Sequence, residues 1–213
     1  MSDPVQPSAR FSDDDGTPAR KRPGPGQRRL QILQTLATML EQPGAERVTT
    51  AGLAAKIGVS EAALYRHFAS KAQMFEGLID FVDQSVLGLI RQVTDREPAG
   101  PLQAGRIVAL LFQFAEKNPG MSRVMNGEAL VLEHERLQER INLLFDKIEA
   151  QLRQSLKGTE SSAPAANAAA TADAKVTASL LVAFMQGRLQ RFARSGFKRL
   201  PSEHLQAVLE RVL

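Results

Sequence analysis

The sequence predicts an all-α chain, and three observations carry that reading. Apolar residues recur at spacings of three and four along most of the 213 residues. No stretch shows the alternation of a half-buried strand, and no fixed-period repeat is present. Pairs such as Pro43-Gly44 and Pro119-Gly120 punctuate the periodic stretches. With 43% hydrophobic and 23% charged residues, the chain can bury a core of one or two domains.

Taken in order, residues 1–27 read as a flexible tail. Five of the eleven prolines lie there, interleaved with Gly, Ser and Asp, and its end from residue 19 into Arg28 and Arg29 is a basic arm. A helix from 28 carries Ile32, Leu33, Leu36, Met39 and Leu40 and stops at Pro43-Gly44. Two short helices follow. Thr49 or Thr50 caps the first, which carries Leu53, Ala54 and Ile57 and ends at Gly58. Ser60 caps the second, over 61–68. Ser70 with Gln73 has the capping-box form and opens a long helix toward residue 95, ended by Pro98 and Pro101. On that helix Phe75, Leu78, Ile79, Val82, Val86, Leu89, Ile90 and Val93 fall within about 60° of one line, as a core face does. Helical patterns continue over 102–117, closed by Asn118-Pro119-Gly120, and over 128–157, where Leu130, Leu137, Ile141, Leu144, Phe145, Ile148 and Leu152 form an apolar stripe. Residues 158–173 are Ala, Ser and Thr with Pro164, a loop passing into a helix start. Helical signals resume over 175–194 and 202–213.

Composition removes several classes of function. Without cysteine there is no disulfide, thiolate metal site or nucleophilic thiol. The first 22 residues are polar, with Asp13, Asp14 and Asp15, and no run of 18 apolar residues occurs anywhere. The expectation is a soluble, cytoplasmic chain that uses no membrane. Enzyme chemistry finds no support. His67, His134 and His204 are far apart in sequence, and no Gly-rich phosphate loop or serine nucleophile motif is present. Glu133-His134-Glu135 is better explained by a charged helix face than by a metal site. No catalytic residue, metal or cofactor is expected.

Charge is concentrated. Residues 1–19 carry a net −3, residues 20–71 have nine basic groups against three acidic ones for +6, and the remaining 142 residues net +1. A short basic segment is the footprint of a module that meets phosphate. Within it, residues 48–68 have helix-turn-helix form: a short helix, the tight Gly58-Val59-Ser60 turn, and a second short helix. Leu53, Ile57, Val59, Leu64 and Phe68 can lock the helices together. Ser60, Glu61, Ala62, Tyr65 and Arg66 then point outward at the width of a DNA major groove. Tyr65, the only tyrosine, together with Arg66, His67 and Lys71 supplies donors for phosphates or base edges.

The spacing Thr49-Thr50-Ala51-x-Leu53-Ala54, Gly58-Val59-Ser60, Leu64-Tyr65-x-His67-Phe68 and Lys71 resembles the DNA-binding domain of TetR-type regulators. That resemblance implies a homodimer, a three-helix reader over 28–71 with 61–67 as recognition helix, and a helical dimerisation domain over 72–213 pairing through its last two helices. It implies DNA contacts at Thr49, Tyr65, His67 and Lys71; Thr50, Ser60, Glu61, Ala62 and Arg66 belong to the same surface, and Arg28 and Arg29 add phosphate contacts. Residues 116–125, 135–154 and 191–198 further resemble the nucleoid occlusion factors. These are TetR-type proteins that, seated on chromosomal DNA, engage the C-terminal tail of the division GTPase FtsZ and block ring assembly. That similarity spans about residues 28–201 and departs from the pattern at Leu89, where a basic residue is more usual.

The implied partner site lies between the long helix and the helix ending at Asn118. Phe81 lies about 120° from the core line, beside the small Ser85 and Gly88. Leu110, Lys117 and Asn118 supply an apolar contact, a cation and an amide for an acidic tail. The alternative is a ligand-responsive TetR-type repressor, which needs a polar-lined pocket in the C-terminal core. The segments 107–115 and 143–148 offer little such polarity.

Overall fold

The structure, a computed structural model, describes residues 26–42, 48–157 and 164–213. The expectations for the tail before Gly26, for the stop at Pro43-Gly44 and for residues 158–163 lie outside them. The described residues form helices without a strand: α1 (Gln27–Leu40), α2 (Thr50–Ile57), α3 (Glu61–Tyr65), α4 (Lys71–Arg96), α5 (Pro101–Lys117), α6 (Pro119–Met125), a 3₁₀ turn (Glu128–Leu130), α7 (Glu135–Leu156), α8 (Pro164–Arg194) and α9 (Leu205–Val212).

Local chemistry sets most of these boundaries. Thr49 caps α2, its hydroxyl accepting from the Gly52 amide at 3.1 Å, and Gly58 ends it at φ 75°. Ser60 caps α3 through the Ala63 amide at 3.2 Å. Ser70 accepts from the Gln73 amide at 3.2 Å, and the Gln73 carboxamide reaches back to the Ala69 amide at 2.8 Å. Glu97 is extended before Pro98, which ends α4, and Pro101 stands at the start of α5. At the end of α8 the Phe197 amide bonds to Phe192 O (2.9 Å) and the Gly196 amide to Ala193 O (3.1 Å), with the two phenylalanine rings 5.1 Å apart. This is a Schellman cap with its apolar clasp.

Several stretches differ from the sequence-based expectation: α8 begins at Pro164, inside the loop expected over 158–173, since proline suits the first helical position. The helix expected over 61–68 ends at Tyr65, because His67 and Phe68 both turn back to Leu64 O. Asn118-Pro119-Gly120 closes α5 but also opens α6, since proline suits the first helical position. The helix expected over 128–157 breaks into the 3₁₀ turn and α7, where His134 Nδ1 accepts from the Arg136 amide at 3.3 Å.

One buried apolar cluster runs from Ile32 and Leu36 on α1, through Leu53, Leu64 and Phe68, into α4 and on to α5, α7 and α8. The eight residues assigned to the α4 core face are buried, Leu89 only partly. α4 thus joins the three-helix unit to the rest. α5, α7 and α8 pack on one another, and α6 sits between α1 and α8.

Candidate nucleic-acid interface and partner groove

Leu53, Leu64 and Phe68 are buried and Ile57 and Val59 packed against them, so α2 and α3 are fixed as one unit. Ser60, Glu61, Ala62, Tyr65, Arg66 and His67 are all exposed on it, Tyr65 by 45%. The small Ala62 leaves the α3 surface low between Glu61 and Tyr65. Thr50 Oγ1 donates to Glu61 Oε2 at 2.6 Å, which ties the start of α2 to the start of α3 and fixes the carboxylate. Thr49 is exposed and its oxygen is engaged in the α2 cap.

Other residues of the expected DNA surface hold the protein together. Arg29 Nη1 donates to His67 O at 2.7 Å, and its guanidinium stands 4.0 Å above the Phe68 ring. Arg28 donates to Gln31 Oε1 at 2.8 Å. Lys71 donates to Glu133, in the stretch before α7. Of Glu133-His134-Glu135, one residue therefore pairs with a lysine and one caps a helix. Among the described residues no group of three His, Cys, Asp or Glu could hold a metal ion.

Further along α4, Phe81 is 48% exposed and its ring lies 6.2 Å from that of Phe114 on α5. Phe81 and Asn118 line one groove of about 320 Å³, whose other wall is α1 through Leu30, Leu33, Ala37 and Thr38. Asn118 Nδ2 donates to Phe114 O at 2.8 Å, fixing the end of α5. Leu110, half-buried, and Lys117, exposed, are not among its lining residues. The α1 wall was absent from the sequence reading. Its signal was a second apolar row, Leu30, Leu33 and Ala37, beside the buried row Ile32, Leu36 and Leu40. Adding a Cβ at Gly88, further along α4, would meet nothing within 4 Å.

The interior between α5, α7 and α8 is occupied by Ile107, Val108, Leu111, Phe112, Leu144, Phe145, Ile148, Leu181 and Met185, all buried. The buried Gln103 is used in the α4–α5 connection, donating to Glu97 O at 2.6 Å. No described helix is long and apolar enough to cross a membrane.

Residues 32–78 match the bacterial regulatory proteins of the tetR family, and residues 102–211 match the SlmA-like, tetracyclin repressor-like C-terminal domain. The chain is 48% identical over 180 residues to the nucleoid occlusion factor SlmA of Idiomarina loihiensis, covering 84% of this chain and 90% of that one. It is 51% identical over 177 residues to SlmA of Shewanella halifaxensis, covering 83% and 88%. Two solved structures share the fold at low identity. The regulator FadR from Bacillus subtilis, in complex with stearoyl-CoA, has a TM-score of 0.64 at 14% identity over 86% of this chain and 96% of that one. The fatty acid degradation regulator FadR from Bacillus halodurans has a TM-score of 0.69 at 15% identity over 91% and 97%. The chain is a regulatory protein and not an enzyme. It belongs to the SlmA nucleoid occlusion factors, within the TetR family.

Proposed function

We propose that this chain is a nucleoid-associated occlusion factor that reads double-stranded DNA with α2 and α3 and, when seated on it, binds the C-terminal tail of FtsZ and blocks ring assembly over the chromosome. In this reading Ser60, Glu61, Ala62 and Tyr65 approach base edges, while Thr49, Thr50, Arg28, Arg66, His67 and Lys71 set register on phosphates. Arg29 supports the recognition unit through His67 and Phe68 as well as facing the backbone.

The observation that carries the partner half is the groove beside Phe81. A half-exposed aromatic ring borders a channel walled by α1 and α4, apolar along Leu30, Leu33, Ala37 and Leu78 and polar at Gln34, Thr38, Glu41 and Asn118, and α1 belongs to the DNA-reading unit. A tail docked there touches both units at once, which supports a binding that depends on DNA occupancy. Lys117 at the end of α5 supplies the cation that orients an acidic tail. The ligand-responsive alternative draws no support from an interior filled by apolar side chains.

The test separates the activities. Phe81→Ala or Lys117→Glu is expected to abolish binding of the FtsZ tail peptide while DNA affinity and oligomer mass stay unchanged. Tyr65→Ala should instead weaken operator binding by about 1 to 3 kcal/mol, as a lost base contact does, and Thr49→Ala should weaken binding to all sequences alike. Tail binding that survives both the Phe81 and the Lys117 variant refutes the site. A wild-type protein that ignores the FtsZ tail with DNA present points to a ligand-responsive repressor.

A further inference from the structure

Lys71 ends the helix-turn-helix segment and opens α4, yet its ammonium is already claimed. Glu133, 62 residues further on, holds it across the junction between the DNA-reading unit and the C-terminal domain. The Lys71 side chain is 28% exposed and that of Glu133 only 10%, and Lys71 Nζ lies 5.6 Å from the centre of the Phe75 ring. The rest of the α4–α7 seam has the opposite polarity. Glu76, Asp80 and Asp83 on α4 pair with Arg136, Arg140 and Lys147 on α7 at 2.6, 2.6 and 3.0 Å. Among the described residues, the cation comes from α4 and the carboxylate from the other side only at the end nearest the helix-turn-helix.

That reversal has a consequence on a polyanion. Phosphate that takes a paired lysine releases a cation from the DNA but leaves a carboxylate that takes one up, so the gain in counter-ions is small, and a carboxylate held beside the phosphates is repelled by them. We infer that Glu133 competes with DNA phosphate for Lys71, so that seating on a duplex transfers the ammonium from carboxylate to phosphate. The inference rests on the DNA-binding reading above. Once Lys71 leaves, Glu133 is a nearly buried carboxylate without a cation, which is costly until water reaches it. The segment that has to open is 131–134. It carries the exposed Val131 and Leu132, and its local backbone ties are the Glu133 amide to Leu130 O and the Leu137 amide to His134 O, each 2.9 Å. Binding of DNA on one side of the junction thereby loosens the start of α7 on the other.

The experiment uses the full chain and a duplex selected by the wild type from a random library. Glu133→Gln is expected to bind about three- to tenfold more tightly, with a salt dependence steeper by about one unit on a log–log plot. In a Lys71→Gln background the same substitution should change neither. A Glu133→Gln protein that binds with unaltered or lower affinity overturns the inference. Should that variant fail to fold, hydrogen exchange on the wild type decides. Amides 131–137 should exchange faster when duplex is added, and slower or unchanged exchange overturns the proposal. A wild type that selects no duplex refutes the DNA-binding reading itself.

Discussion

A Cβ added at Gly120 would lie 2.2 Å from the carbonyl oxygen of Ala37, because α6 begins directly against α1. Backbone cannot yield there as a side-chain tip can. Gly120→Ala is therefore expected to cost about 1 to 3 kcal/mol, as overpacking does elsewhere, read as a lower denaturant midpoint. Since α1 is one wall of the Phe81 groove, the same variant should weaken tail binding; an unchanged midpoint would mean that α6 shifts freely. At this scale the legible residues were those whose partners are near in sequence. Thr49, Ser60 and Ser70 cap as their spacing indicates, and Gly58 takes the left-handed conformation. Arg29 and Lys71 could be read only as free cations. Their partners, His67 O and Glu133, stand 38 and 62 residues away, and no local pattern encodes them.

Elements were read correctly where an apolar stripe was long, and less well at breaks. The α4 core face was legible throughout because eight residues at helical spacing leave one solution. By contrast, α6 was hidden because a Pro-Gly pair signals a stop as readily as a start, and the break at His134 was masked by the apolar period running across it. How α4 and α7 hold together follows from magnitudes. Their ion pairs Arg136–Glu76, Arg140–Asp80 and Lys147–Asp83 are all partly exposed, and such pairs contribute about 0 to 1 kcal/mol each. Leu144, on α7 between these cations, is fully buried. Leu144→Ala is expected to cost about 2 to 5 kcal/mol, whereas Asp83→Asn should cost less than about 1 kcal/mol. Urea denaturation of both variants checks this, and an equal loss would mean that the charges carry the seam.

For the whole molecule, the remaining expectation is self-association through the last two helices, α8 and α9, and the structure divides the apolar residues of α8 into two sets. Leu181, Leu189 and Phe192 are buried within the chain, so they are unavailable to a partner. Leu180 stays 52% exposed and Val176 is also exposed, with Ala183 and Gly187 following at helical spacing. Ala183, Phe184, Gly187 and Val208 line a cleft of about 860 Å³ between α8 and α9, rimmed by Arg188, Arg191 and Glu203. A Cβ at Gly187 would meet nothing within 4 Å, so the α8 surface is low where a second helix would cross. Burial and then the neighbouring Arg191 hold the Arg188 guanidinium below its ordinary value, with Glu203 opposing them. An apolar strip with small residues and a charged rim is what a two-fold interface between copies requires. Sedimentation equilibrium at micromolar concentration is therefore expected to give a dimer mass. Leu180→Glu should convert it to monomer by burying an unpaired charge at the interface. The monomer should keep its helical content, because Leu180 is outside the core, and should lose specific DNA binding, because one reader spans only a half-site. A dimer that persists in both Leu180→Glu and Gly187→Glu would place the interface elsewhere.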